Sequence, residues 1–392
     1  MDGSILMITG SIRSGTSLIS RSVDAHPQVT CLLEPYMGFF RSYRNALYDN
    51  YQIQINDPNQ PITDHFLESA EIFEKFKIAN LNITLIDSWE ELKPKLISFS
   101  KSTSSKLIPY LDEISDVITY KDLFIKLLRC SRKAYGCNNT KIDGFVQGWV
   151  EFFVGPLLST FNSARCVHVI RDPRAMIASW TKTKHLSHNY PFLMVLRHWR
   201  KSLAMASRWN RLYPDRHLVI RYEDFVNNPE HYIKQICKFC DVDYSKECIN
   251  TEKFLDGNGN PWKANTSFTE KINGIDSSFT NRWKHYLNPD QIFLIEMLCA
   301  AEMDYWGYQR TIENDLEKEI NLMLAPPKFE HSESGRNDWI NKYNCEYESI
   351  YQIPIQELGR WMLYRQRNST KRTLSKQDAQ RVFLDPEFLN NK

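Results

Sequence analysis

The residues with the clearest chemical signature lie between Gly10 and Ser17. Four residues separate Gly10 from Gly15, and Thr16 and Ser17 follow directly. This is the spacing of a Walker A loop, in which glycines permit a tight turn and successive backbone N–H groups converge on a phosphate. Thr16 stands where such a loop has its lysine, and Arg13 lies inside the loop. The loop therefore predicts phosphate binding, but not transfer of a magnesium-bound γ-phosphate.

A second arginine follows a β-branched run at residues 166–170. Arg171 is followed by Asp172 and Pro173, a cap and a first-turn residue for a predicted helix that also carries Ser179. Taken alone, Arg171 and Asp172 could equally form an ion pair at a helix start. Together with the first loop, a second arginine at a strand end predicts a ligand with more than one anionic group.

Glu34 is a candidate general base. It follows a strand-like run at residues 29–33 and precedes Pro35, so we expect it at a strand end near the loop. A carboxylate buried beside an anion site has a raised pKa, which suits a group that accepts a proton during the reaction. A single glutamate is more often a solvated surface residue, so both interpretations stay open on residue type alone.

The elements that must position these residues are three strand-then-helix units. Strands are predicted at residues 5–8, 166–170 and 217–220, each followed by a helical pattern. This alternation indicates a P-loop-like α/β fold, a parallel sheet with helices on both faces. Ligands bind such sheets at the carboxyl ends of the strands. We therefore expect the polar clusters to converge on one crevice.

Two further segments accompany the α/β pattern. An α/β unit is predicted over residues 1–308, interrupted at about residues 40–140 by a polar, helix-biased insertion. That insertion could act as a lid or help to bind an acceptor. Residues 309–392 are predicted to form a helical extension packed on this unit, because aromatic residues recur along them.

Composition narrows the classes of partner. Lys and Arg number 49 against 47 for Asp and Glu, so no global field favours nucleic acid or an acidic membrane. Nine scattered cysteines argue against a disulfide framework and for a reducing compartment. We expect no metal site, because Cys237 and Cys240 lack a second pair at zinc spacing. The sequence has no run of 18 apolar residues and leaves no room for a signal peptide before the loop. We therefore expect a cytoplasmic protein without a membrane anchor.

Two runs of sequence resemble a known family. These are GSIRSGTSLISRSVDAHPQVTCLLEP and VHVIRDPRAMIASW, which resemble the PAPS-dependent sulfotransferases, in particular the tyrosylprotein and carbohydrate branches. The resemblance covers about residues 5–35 and 163–308. It implies that Arg13, Ser14, Gly15, Thr16 and Ser17 hold the 5′-phosphosulfate end of PAPS. It implies that Arg171 and Ser179 hold the 3′-phosphate.

The resemblance also implies roles for five further residues. These are Tyr222 on the adenine side, Glu34 as the base, Lys141 stabilising the departing oxygen, and Ser267 and Arg282 completing the site. The implied reaction moves the sulfuryl group from PAPS to a hydroxyl or amine of a small-molecule or carbohydrate acceptor by in-line displacement and leaves PAP. A P-loop nucleotide or small-molecule kinase and a non-catalytic nucleotide-binding module are the alternatives.

Overall fold

The structure is a computed structural model, and it describes residues 4–53, 58–59, 70–183, 192–263, 274–313, 315–329, 352–370, 379–380 and 382–389. Its centre is a five-stranded sheet with the order β2-β3-β1-β4-β5. The strands are β1 (Ser4–Gly10), β2 (Val29–Leu33), β3 (Ile142–Val146), β4 (Ala164–Ile170) and β5 (His217–Arg221). Every neighbouring pair is parallel, which confirms the predicted α/β fold class.

Helices cover the two faces of this sheet. In the described residues they are α1 (Thr16–Asp24), α2 (Met37–Asn50), α3 (Ala70–Ile78), α4 (Trp89–Ser100), α5 (Tyr120–Tyr135), α6 (Val154–Thr160), α7 (Pro173–Thr181), α8 (Phe192–Leu212), α9 (Tyr222–Asn227), α10 (Pro229–Phe239), α11 (Trp283–Tyr286), α12 (Pro289–Leu298), α13 (Ala300–Tyr305), α14 (Leu316–Leu324) and α15 (Gln352–Thr370). None of the helices in these ranges is long and apolar enough to cross a membrane.

The sheet separates two hydrophobic clusters. Along β1, Ile5 and Met7 join the larger cluster, while Leu6 and Ile8 join the smaller one. Both sets are almost fully buried. This alternation follows from the two-residue period of a strand, which sends successive side chains to opposite faces. Because both faces are covered, the polar ends of the strands are the part of the sheet that a ligand can reach.

Local signals place the helix that follows β4. The Asp172 side chain accepts a hydrogen bond from the N–H of Arg174 at 2.8 Å, and Pro173 occupies the first turn. Arg174 also forms ion pairs with Asp172 and, at 2.5 Å, with Glu296 of α12. The predicted cap is therefore confirmed, and α12 is tied to the beginning of α7.

The stretch between β2 and β3 is helical and joins the main core. Phe39 of α2 lies in edge-on contact with Tyr120 and at 5.2 Å, centroid to centroid, from Phe124, both on α5. These aromatic rings belong to the larger cluster under the sheet. At the other end of the chain, Glu357 of α15 forms a buried ion pair with Arg200 of α8 at 2.6 Å. The limits predicted for the insertion and the extension stay predictions.

Candidate active site

The loop between β1 and α1 is shaped to bind an anion. Arg13 has a φ of 59° and Gly15 a φ of 97°, so the backbone turns through the left-handed region twice. A Cβ on Gly15 would overlap the ring of Tyr222, which packs directly on the loop. Gly15 caps α1 without any side-chain hydrogen bond. The first-turn N–H groups of α1 therefore lack a side-chain cap and can receive an anion.

Two serine hydroxyls in this loop are buried without a partner among the described residues. They are the Oγ atoms of Ser11 and Ser14. The N–H of Ser14 donates to the carbonyl of Ser11 at 3.2 Å, which keeps the turn tight. Buried polar atoms nearly always have partners, so two adjacent unpaired hydroxyls mark a place where a polar ligand can supply them.

The structure brings the two arginine turns into direct contact. Arg13 Nε donates to Ser179 Oγ at 2.9 Å, and Arg171 Nη1 donates to the carbonyl oxygen of Arg13, also at 2.9 Å. The Arg171 guanidinium lies 4.3 Å from the centroid of the Tyr222 ring. Four residues that the sequence predicted to bind the donor thus meet at the carboxyl ends of β1, β4 and β5.

Charge at this point is concentrated and positive. Burial, with Arg171 nearby, lowers the pKa of Arg13 to about 10. Arg13 therefore remains charged at neutral pH, beside a second guanidinium. The Nε of Arg171 is buried and has no partner among the described residues. Two like charges held together in a partly buried site favour an anionic ligand, because the ligand removes their mutual repulsion.

Two residues that sequence analysis missed support Arg171. Trp199 Nε1 donates to the Arg171 carbonyl at 2.7 Å, and Glu223 Oε1 accepts from the N–H of Asp172 at 3.0 Å. Burial, followed by the charge of Asp172, raises the pKa of Glu223. Trp199 lies on α8, far along the chain, and no local signal marks it. Glu223 was visible only as the neighbour of Tyr222.

Glu34 stands at the end of β2 in an uncommon conformation. Its φ is 47°, and its N–H donates to the Val146 carbonyl of β3 at 2.9 Å. A Cβ atom added to Gly148 would lie 3.7 Å from Glu34 Oε1 and 4.0 Å from the Gly10 carbonyl oxygen. The carboxyl therefore faces the end of the phosphate loop's strand. The residue is exposed to solvent on one side, but the protein around its carboxyl raises its pKa by burial.

The structure does not bring Lys141 to this site. Its N–H donates to the Gln28 carbonyl, and its own carbonyl accepts from the N–H of Ser4 at the beginning of β1. Lys141 thus precedes β3 and lies at the amino edge of the sheet. A five-residue strand spans about 16 Å, so its backbone is about that far from the edge where Glu34 stands. The residue at the carboxyl end of β3 is Gln147.

Of the two residues predicted to complete the site, the structure describes Arg282 but not Ser267. Arg282 precedes α11, and the next residue, Trp283, stacks on Arg174 of α7 with 4.1 Å between guanidinium carbon and ring centroid. Arg282 therefore borders the helix that carries Ser179. Ser267 lies outside the described residues. In the described part of the chain, no group of three or more His, Cys, Asp or Glu residues could hold a metal ion.

Several known proteins are similar to this chain. A family model described as "Sulfotransferase family" matches residues 6–246. Carbohydrate sulfotransferase 5 of Homo sapiens is 21% identical in an alignment 353 positions long that covers 82% of each chain. The protein-tyrosine sulfotransferase of Drosophila melanogaster is 23% identical over 71% of this chain and 46% of its own length. The sulfotransferase domain of the Synechococcus PCC 7002 olefin synthase matches with a TM-score of 0.46 and 17% identity, covering 79% of this chain and 97% of that one.

Proposed function

We propose, from the premise that this chain belongs to the sulfotransferase family, that it transfers a sulfuryl group from PAPS to a hydroxyl group of a carbohydrate or similar small molecule. Sulfotransferases of this family depend on PAPS. The observation that carries the proposal is that Arg13, Arg171 and Glu34 share one end of the parallel sheet. A turn suited to an anion and a carboxylate suited to accept a proton thus lie at the same edge of the sheet.

The residues present fit PAPS. PAPS has a phosphosulfate and a separate 3′-phosphate, and the two touching arginine turns offer two groups of donors for them. The unpaired Oγ of Ser14 and Nε of Arg171 are donors that a bound phosphate oxygen would satisfy. When bound, PAPS supplies the sulfuryl group for transfer. Thr16 at the Walker lysine position is consistent with a transferred group that needs no magnesium bridge, unlike that of a kinase.

Glu34 is the residue that we assign to the acceptor's proton. Its carboxylate accepts that proton at one of its oxygens while the acceptor oxygen attacks sulfur. A raised pKa makes the carboxylate a stronger base than a free glutamate, and the exposure of the residue to solvent leaves room for the acceptor to approach it. Arg13 and the first-turn N–H groups of α1 stabilise the negative charge that develops on the donor.

A carbohydrate acceptor is favoured over a protein tyrosine by two observations. The carbohydrate sulfotransferase relative aligns over 82% of its length, whereas the protein-tyrosine relative aligns over 46%. Trp149 follows Gly148 beside Glu34, has a φ of 69° and is only half-buried. The Trp149 ring packs edge-on against His198, with 4.4 Å between the centroids, and the part that stays exposed is an apolar surface on which a sugar ring can pack.

The test is transfer of label from radiolabelled PAPS to a panel of mono- and oligosaccharides, with phenols and a tyrosine peptide as competing acceptors. We expect labelled saccharide, and no labelled saccharide with the Glu34→Gln variant. PAP binding without label transfer to any acceptor would favour the non-catalytic module. Magnesium-dependent ATP consumption without transfer from PAPS would favour the kinase.

A further inference from the structure

Gln147 joins the strand that leads into the phosphate loop to the turn that carries Glu34. It directly follows β3, which lies between β1 and β2. Its N–H donates to the Ile8 carbonyl at 3.0 Å, and its carbonyl accepts from Thr9 Oγ1 at 2.9 Å. On the other side, its Oε1 accepts the N–H of Tyr36 at 3.1 Å. One residue therefore connects the donor-binding and proton-accepting parts of the site.

The orientation of the Gln147 amide is determined by this contact. A backbone N–H can donate only to the amide oxygen, so Oε1 must face Tyr36. The side chain is fully buried, and its Nε2 has no partner among the described residues. A buried donor without a partner is unfavourable, and a methionine of similar length would avoid it. The amide oxygen is therefore the feature that an apolar residue could not replace.

The turn that Gln147 holds is conformationally demanding. Glu34 adopts a left-handed φ of 47° immediately before Pro35, and a non-glycine residue enters that region only when neighbouring contacts hold it there. The N–H of Glu34 is bonded to Val146 and the N–H of Tyr36 to Gln147, so the end of β3 holds the turn on both sides of Pro35.

We propose that Gln147 is a positioning residue for the base: its side-chain oxygen holds the turn at residues 34–36 so that the Glu34 carboxylate stays beside the end of β1. The inference rests on the proposed role of Glu34. Gln147 acts through Glu34 and needs no contact with the donor or the acceptor. Burial of the Glu34 carboxyl raises its pKa. Release of the turn into solvent would therefore lower that pKa.

The test is an infrared pH titration of the Glu34 carboxyl in the full-length chain, with its band assigned by its loss in Glu34→Gln. We expect Gln147→Met to lower the midpoint by about half a pH unit or more, because a released turn solvates the carboxylate. With a saccharide acceptor, we expect kcat to fall about ten- to a hundredfold, with an unchanged KM for PAPS. PAP affinity, measured by calorimetry, should match that of the wild type.

Ser131→Ala is the matched control, because Ser131 bonds the hydroxyl at the far end of the Tyr36 side chain. It should lower the melting temperature and leave the Glu34 midpoint unchanged. If Gln147→Met does not fold, Thr9→Val removes the hydroxyl bonded to the Gln147 carbonyl and should shift the midpoint less, in the same direction. An unchanged midpoint in folded Gln147→Met, or failing that in Thr9→Val, overturns the inference. The titration needs no turnover, so failure to find any acceptor would count against the proposed function alone.

Discussion

Replacing Arg171 by alanine removes a guanidinium that has two contacts in the site and one buried N–H group without a partner among the described residues. It donates to the Arg13 carbonyl, stacks on Tyr222 and leaves its Nε for a ligand. We expect the variant to lose affinity for adenosine 3′,5′-bisphosphate (PAP) selectively. Adenosine 5′-phosphate lacks the 3′-phosphate. Its loss of affinity therefore measures only how far the loop is weakened when the Arg13 carbonyl no longer accepts a hydrogen bond from Arg171.

The magnitude follows from the type of bond that is removed. A hydrogen bond between charged groups contributes about 1.5–3 kcal/mol, which corresponds to a factor of about 10 to 150 in a dissociation constant. The lost bond to the Arg13 carbonyl weakens both nucleotides, so it cancels in their ratio. The positive charge of Arg171 lowers the pKa of Arg13, so replacing Arg171 by alanine leaves Arg13 positively charged.

The assay is isothermal calorimetry with both nucleotides on the wild type and on Arg171→Ala. The ratio of the dissociation constant for PAP to that for adenosine 5′-phosphate should rise about 10- to 150-fold. Arg129→Ala is the control, since it removes an exposed arginine from α5 and should leave the ratio unchanged. Equal losses for the two nucleotides would refute the assignment of the 3′-phosphate to Arg171.

Four further expectations concern the base, the loop and Lys141. Glu34→Gln should bind PAP as the wild type does but lower label transfer at least about 100-fold, as expected for loss of a general base. In the wild type, kcat/KM should fall as pH drops through the raised pKa of Glu34, because protonation removes the base; an acid limb at the pKa of a free glutamate, about 4.3, would show that the carboxyl is not buried. Gly15→Ala should abolish PAP binding and lower the melting temperature, because its Cβ overlaps Tyr222 and φ is 97°; wild-type affinity would show that the loop can rearrange. Lys141→Ala should transfer label within about twofold of the wild type, since Lys141 lies at the amino edge, and a large loss of kcat would return it to the site.

Local sequence signals accounted for the two turns that we propose bind the donor. The glycine spacing of residues 10–15 and the arginine at 13 describe a turn whose conformation depends on its own few residues. The same holds for the beginning of α7, where Asp172 and Pro173 supply the cap and the first turn. The family resemblance rested on these two places, and residues 6–246 match the family model.

The position of Lys141 shows where such signals stop. No strand was predicted beside Lys141, and a lysine that precedes a strand lies at the opposite edge of the sheet from one that follows it. The choice depends on where β3 begins, and β3 is held by pairing with β1 and β2, which are distant in sequence. Gln147 was missed for the same reason, since its partners Tyr36 and Thr9 lie more than a hundred residues away.

The sequence by itself thus determined the phosphate loop, the second arginine turn and the parallel α/β class, because backbone turns, caps and strand periodicity depend on neighbouring residues. The tertiary structure alone decided that Arg13 bonds Ser179, that Glu34 faces the end of β1 and that Gln147 joins the two. Those contacts depend on strand order, which is set by burial across the whole sheet rather than by any one segment.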